Sequence, residues 1–229
     1  MTGLPIEGAV ALVTGGNRGL GRAFTRALLD RGARTVYAGA RDPGTVTEPG
    51  VVPVRLDITD PAQVAAAAAK LGDVTLLINN AGISRTSGLV TEPDSQAARA
   101  EMETNFFGTL EMSRAFAPVL ARNGGGALVN VLSVLSWVVL PQAASYSVSK
   151  AAAWSLTNGV RQELREQKTL VVGVHAAFID TDMAARVTQS KISPAEVAAQ
   201  TLDAVEQGRE EVLTDAFTRE VKAGLSAPL

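Results

Sequence analysis

Short runs of consecutive apolar residues alternate along this chain with stretches in which apolar positions recur every three or four residues. The runs are 9–13, 35–40, 51–56, 74–78, 127–132 and 170–175. Because they are apolar along nearly their whole length, they predict strands covered on both faces, as in a parallel sheet. Between them, Ala23, Phe24, Ala27 and Leu28 share one side of a helix that starts at Gly19 and stops at Gly32. Pro61 opens an Ala-rich helix through Leu71, a long helical pattern covers 97–120 with a bend expected near Gly108 or Pro118, and another runs from 145 to about Gln167. A helix over 194–208 and a short strand over 211–213 follow, while the Gly- and Pro-rich piece at 42–50 predicts only a short connection. Strand and helix alternate throughout. That alternation predicts a single-domain α/β fold over 1–229, a doubly wound parallel sheet of the Rossmann type with helices on both faces.

Composition narrows the function classes. Of the residues, 46% are hydrophobic and 19% charged, which excludes a disordered chain. Lys and Arg total 21 against 23 Asp and Glu, so no basic excess points to nucleic acid or an anionic membrane surface. The absence of Cys removes disulfides and thiolate metal sites, and a single His argues against a zinc enzyme, so no metal is expected. Residues 1–8 lack a basic and apolar leader pattern, and no apolar run reaches the ~18 residues of a membrane span. The expectation is a cytoplasmic protein with no membrane and no nucleic-acid partner.

Candidate chemistry begins at the first strand-to-helix turn, Thr14-Gly15-Gly16-Asn17-Arg18-Gly19-Leu20-Gly21. Glycine-rich backbone opening a helix can present N–H groups to a pyrophosphate. Farther along, Tyr146 and Lys150 stand four apart at the start of a helical pattern, hence on one face. A free tyrosine titrates near ~10, and a neighbouring cation favours phenolate, so Tyr146 could act as general acid or base. On its own the spacing also fits a solvated lysine beside a half-buried tyrosine.

Together these motifs resemble the short-chain dehydrogenase/reductase (SDR) family. The glycine spacing, Asn79-Asn80-Ala81-Gly82 after the fourth strand, Ser133 thirteen residues before Tyr146, and Tyr146-x-x-x-Lys150 occur in that family's order. The resemblance covers roughly 6–213. It implies Asn105, Ser133, Tyr146 and Lys150 as catalytic, with Asn105 holding a water in a proton relay and Lys150 also binding the nicotinamide ribose. For the cofactor it implies Thr14, Gly15, Asn17, Arg18, Gly19, Leu20, Gly21, Asp57, Ile58, Asn80, Ala81, Gly82, Ile179 and Thr181. Asp57 reads equally well as an adenine contact or as a cap for the helix at Pro61. Asn79 could instead brace neighbouring strands.

The second strand ends Ala40-Arg41, where NAD-preferring folds place a carboxylate. Arg41, with Arg18, can instead pair with a 2′-phosphate, so NADP(H) is the expected cofactor. Asp42 is discordant, although its position suits a turn. After the sixth strand, Ala176-Ala177 replaces the family's usual Pro-Gly, which could crowd the nicotinamide. His175 reads as a structural residue at a strand end. Trp137, Val138, Leu140, Gln142 and Phe178 are the candidate substrate walls, and 184–193 a short lid. The expected function is NADPH-dependent reduction of an uncharged, moderately apolar aldehyde or ketone to an alcohol. A weakly catalytic NADP(H)-binding sensor or regulator and a non-redox isomerase or lyase are the rival readings. The resemblance also implies a homodimer or homotetramer through the 97–120 and 146–164 helices.

Overall fold

The computed structural model describes residues 2–85 and 87–226; the expected domain, 1–229, also includes positions outside that range. Seven strands form one parallel sheet in the order β3-β2-β1-β4-β5-β6-β7. They are β1 (Val10–Thr14), β2 (Thr35–Ala40), β3 (Val51–Arg55), β4 (Leu76–Asn79), β5 (Ala127–Val131), β6 (Leu170–His175) and β7 (Glu211–Leu213). Pairing in register runs from Val10 opposite Thr35 on one side of β1 to Ala11 opposite Leu76 on the other. The apolar runs become strands because their alternate residues feed two separate cores. In β1, Ala11 and Val13 pack with Phe24, Leu28, Val197 and Leu202, whereas Val10 and Leu12 pack with Val64, Met112, Phe116 and Val160. Pro53 is tolerated in β3 because that strand is an edge and needs no ladder on its outer side.

The helices are α1 (Gly19–Asp30), α2 (Pro61–Lys70), α3 (Gln96–Glu101), α4 (Thr109–Arg122), α5 (Ala144–Glu163), α6 (Pro194–Glu206) and α7 (Ala216–Gly224). Prolines at the first turns of α2 and α6 are matched by Asp60 and Ser193 side chains that accept the following backbone N–H groups. The expected long helix over 97–120 is divided by a π-helical segment, Met102–Gly108. A Cβ at Gly108 would lie 2.7 Å from Ile58 Cδ1, so the helix can approach the loop after β3 only with glycine there. α5 ends at Glu163, short of Gln167, and α7 was not anticipated. It is only nine residues long, with Phe217 and Val221 its two large apolar residues, and it starts because Asp215 caps it by accepting from Thr218 N at 2.8 Å.

β1 lies between β2 and β4, so the chain reverses direction across the sheet there and the carboxyl ends of β1 and β4 border a crevice. The motifs all map to that end of the sheet.

Candidate active site

The glycine loop links β1 to α1 in a conformation that side chains would obstruct. Gly15 has φ +64° and Gly19 φ +50°. A Cβ at Gly21 would sit 2.0 Å from the Gly15 carbonyl oxygen. Arg18 occupies the N-cap of α1 without a side-chain cap bond, and no acidic residue lies in the first turn. The N–H groups of that helix start are therefore left for an anion, an arrangement suited to a dinucleotide pyrophosphate. A Cβ at Gly19 would be 3.3 Å from Thr181 Cγ2, so the segment after β6 faces the loop across the crevice, as the expected roles of Gly19 and Thr181 require. Leu20 and Ile58 are buried in the two cores, leaving only their backbones for a ligand.

Thr14 and Asn80 tie β1 to β4. Thr14 Oγ1 accepts from the Asn80 and Ala81 amides at 3.0 Å, while Asn80 Nδ2 donates to the Thr14 carbonyl at 2.9 Å and the Gly15 carbonyl at 3.3 Å. The side-chain amide of Asn80 is thus engaged with protein. Asn79 braces strands, donating to Asn130 Oδ1 at 2.9 Å. Asp57 does not cap α2; Asp60 does, and Asp57 instead accepts from Thr59 N and Thr59 Oγ1. Arg41 is exposed at the end of β2, and Asp42 closes a turn by accepting from Gly44 N. Arg18 reaches Asp182 at 3.4 Å, and Asn17 donates to Thr45 Oγ1 at 3.0 Å.

Ser133, Tyr146 and Lys150 converge at the end of β5. Ser133 follows β5 and begins a single turn at Val134–Ser136; its Oγ accepts from Leu135 N at 3.1 Å. The Tyr146 phenol lies beside this hydroxyl. Lys150 Nζ donates to the Val131 carbonyl at 2.8 Å and lies 5.7 Å from the centre of the Tyr146 ring. A Cβ at Gly82 would be 3.1 Å from Asn105 Oδ1 and 3.7 Å from Lys150 Nζ, so glycine there lets three segments meet. Asn105 binds both backbone groups of Ile83 and donates to Ser149 Oγ.

Burial governs the ionisation of the pair. It pushes the Tyr146 phenol well above its usual range, the bond from Ser133 opposes this, and the negative charge of Glu101 adds to the rise. The same burial brings Lys150 down to about 8. The expected lowering of Tyr146 by Lys150 is therefore overridden, because loss of hydration outweighs attraction to an ammonium directed at the Val131 carbonyl.

Two residues outside the motifs support this centre. His175, 1% exposed, has Nδ1 3.1 Å from the Ser133 carbonyl and its ring stacked on Trp137 with centroids 3.9 Å apart. Burial lowers its pKa to about 4, so it is neutral at neutral pH. Glu101 is fully buried and accepts from Arg85 N at 2.6 Å. Nothing in the local sequence distinguishes Glu101 from the exposed carboxylates of the same region. The Ala176-Ala177 segment has ordinary backbone: among the described non-glycine residues only Lys168 has positive φ, and Ala177 N donates to Asp215 Oδ2 at 2.9 Å.

The sequence profile of the short chain dehydrogenases matches residues 9–192. The chain belongs to the short-chain dehydrogenase family. Members of this SDR family are oxidoreductases that interconvert CH–OH and C=O groups. A short chain dehydrogenase from Burkholderia cenocepacia J2315, solved in complex with NADP, is 50% identical with a TM-score of 0.94, over 98% of this chain and 95% of that one. The NADPH-bound carbonyl reductase from chicken fatty liver is 30% identical with a TM-score of 0.80, over 87% and 92% of the two chains. Bovine dehydrogenase/reductase SDR family member 7B is 31% identical over 198 residues, which span 78% of this SDR chain but 60% of the bovine protein. No helix among the described residues is long and apolar enough to cross a membrane.

Proposed function

We propose that this protein uses NADPH to reduce the carbonyl of an uncharged, moderately apolar aldehyde or ketone, reversibly, with Tyr146 as general acid. The observation that carries the proposal is the meeting of three groups at the end of β5: the half-buried Tyr146, the Ser133 hydroxyl beside its phenol, and Lys150 Nζ 5.7 Å from its ring centre. Bound NADPH supplies the hydride, and the remaining work falls to the protein. Leu135 N–H occupies one lone pair of Ser133 Oγ, and the hydroxyl proton, which faces the Tyr146 phenol, turns to a substrate carbonyl oxygen that enters between the two. Burial keeps Tyr146 in its acid form at neutral pH, the form needed to protonate that oxygen as negative charge develops. Lys150, at about 8, remains largely cationic at neutral pH, anchored on Val131 and available to a ribose hydroxyl.

NADP(H) is supported by the exposed arginines 18 and 41 near the adenosine end of the crevice and by the NADP-bound Burkholderia homologue. An apolar substrate is supported by exposed hydrophobic side chains in the loops after β4, β5 and β6: Leu89, Val139, Leu140 and Met183. Asn105, with its amide committed to protein, would contribute its water-binding role through its backbone. The whole chain acts as one domain, with the lid at 184–193 tied at its base by bonds between Ile192 and residues 178 and 180. The outer faces of α4 and α5 carry an apolar groove lined by Leu110, Ala117, Leu156 and Val160, which favours pairing of two copies there.

The test is NADPH oxidation followed by absorbance across a panel of aldehydes and ketones. Tyr146→Phe should lose about 10²–10⁴-fold in turnover while binding NADPH within about twofold of wild type. NADPH binding without oxidation across the panel would favour a sensor instead.

A further inference from the structure

Glu101 sits where α3 passes into the π-helical segment, is 0% exposed, and has one carboxylate oxygen, Oε2, buried with no hydrogen-bond partner among the described residues. Isolated buried carboxylates are unfavourable unless their surroundings use them. Here the other oxygen accepts the Arg85 N–H at 2.6 Å. Two residues earlier in that loop, Ile83 gives both backbone groups to Asn105 at 2.9 Å. Two residues later, the Ser87 carbonyl accepts from both the backbone N and Oγ of Ser145 at 3.2 Å. Residues 83, 85 and 87 are thus each held by a residue from the π-helical segment, α3 and α5 in turn. The clamp continues into the catalytic helix: Asn105 Nδ2 donates to Ser149 Oγ at 2.9 Å, and Ser149 Oγ donates to the Tyr146 carbonyl at 2.7 Å.

We propose that Glu101 is a positioning residue for carbonyl reduction: by holding Arg85 it keeps the loop that carries residues 83, 85 and 87 against α5, the helix of Tyr146 and Lys150. This rests on the function proposed above. The bonds to Asn105 and Ser145 hold residues 83 and 87, and Glu101 holds residue 85 between them.

Glu101→Gln keeps an acceptor for Arg85 N–H and removes the charge; Glu101→Ala removes both. Amide exchange at Arg85, measured by NMR or mass spectrometry, reports the clamp without turnover. It should stay slow in Glu101→Gln and accelerate at least about tenfold in Glu101→Ala. For carbonyl reduction, KM should rise about fivefold or more in Glu101→Ala and return to near wild type in Glu101→Gln. Where Glu101→Ala does not fold, Glu101→Leu, which fills similar space without an acceptor, takes its place. Arg85 exchange as slow as in wild type in the variant that lacks the acceptor overturns the proposal. So does faster Arg85 exchange in Glu101→Ala with KM and kcat unchanged. Inactivity of the wild type on the whole panel would instead refute the proposed reaction, leaving the Arg85 exchange result to judge the clamp alone.

Discussion

Lys150→Met should make the protein more stable and nearly inactive. Lys150 is 5% exposed, and burial lowers its pKa from 10.5 to about 8. At about 1.36 kcal/mol per pKa unit, keeping that ammonium in the native state at neutral pH costs ~3 kcal/mol. Methionine fills similar space without charge, but it leaves the Val131 carbonyl, which accepts from Nζ at 2.8 Å, without its donor, a loss of ~1–2 kcal/mol. The balance favours the variant by ~1–2 kcal/mol, or a Tm higher by roughly 2–8 °C for a chain of this length. The pH dependence has a definite sign. Below about 8 the native state carries the full burden; between about 8 and 10.5 the unfolded chain holds a proton that the native chain has released, so wild-type stability rises relative to the variant and the gap closes. Paired urea and thermal melts at pH 7, 9 and 10.5, alongside NADPH turnover, measure both effects. A variant no more stable than wild type at pH 7, or a stability gap that does not change with pH, would refute the assignment of that burden to the buried ammonium.

Gly21→Ala, whose Cβ would meet the Gly15 carbonyl oxygen at 2.0 Å, should destabilise by ~2 kcal/mol or more and abolish NADPH binding, read by denaturation and fluorescence titration. Ala40→Asp with Arg41→Ser should shift the ratio of kcat/KM for NADPH over NADH by tenfold or more toward NADH; an unchanged ratio would remove Arg41 from cofactor choice. Burial raises the Asp215 carboxyl, but the Ala177 and Thr218 amides and the Thr218 and Thr214 hydroxyls outweigh it and hold its pKa below 3.8. Asp215→Asn should therefore cost ~1 kcal/mol at pH 7 through the weakened cap of α7, and the deficit should shrink as pH falls below 3.8 and the wild-type carboxylate takes up its proton.

Much of the fold was legible because its signals are local. Apolar runs such as 127–132 can be covered on both faces only inside a parallel sheet, and β5 is buried at four of its five positions. Gly15, Gly19 and Gly21 could be read as a loop because they follow a buried strand and open a helix. Other features depend on distant partners. The close approach of Gly108 to Ile58 joins positions fifty residues apart in the chain. α7 is only nine residues long, and its start depends on Asp215, which also takes the Ala177 amide on another segment.

The sequence alone determined the sheet, the glycine loop and the order Ser133, Tyr146, Lys150, since strand burial and helical spacing are properties of neighbouring residues. Only the tertiary structure decided how those groups ionise. Tyr146 has a lysine one turn away, yet its phenol is pushed up because β5, α3 and α5 together exclude water and place the carboxylate of Glu101 near it. The partners of Asn80 and the clamp on 83–87 were decided in the same way. Hydrogen bonds across 65 or 66 residues, as from Asn80 to Gly15 and Thr14, exist only once the chain has folded back on itself.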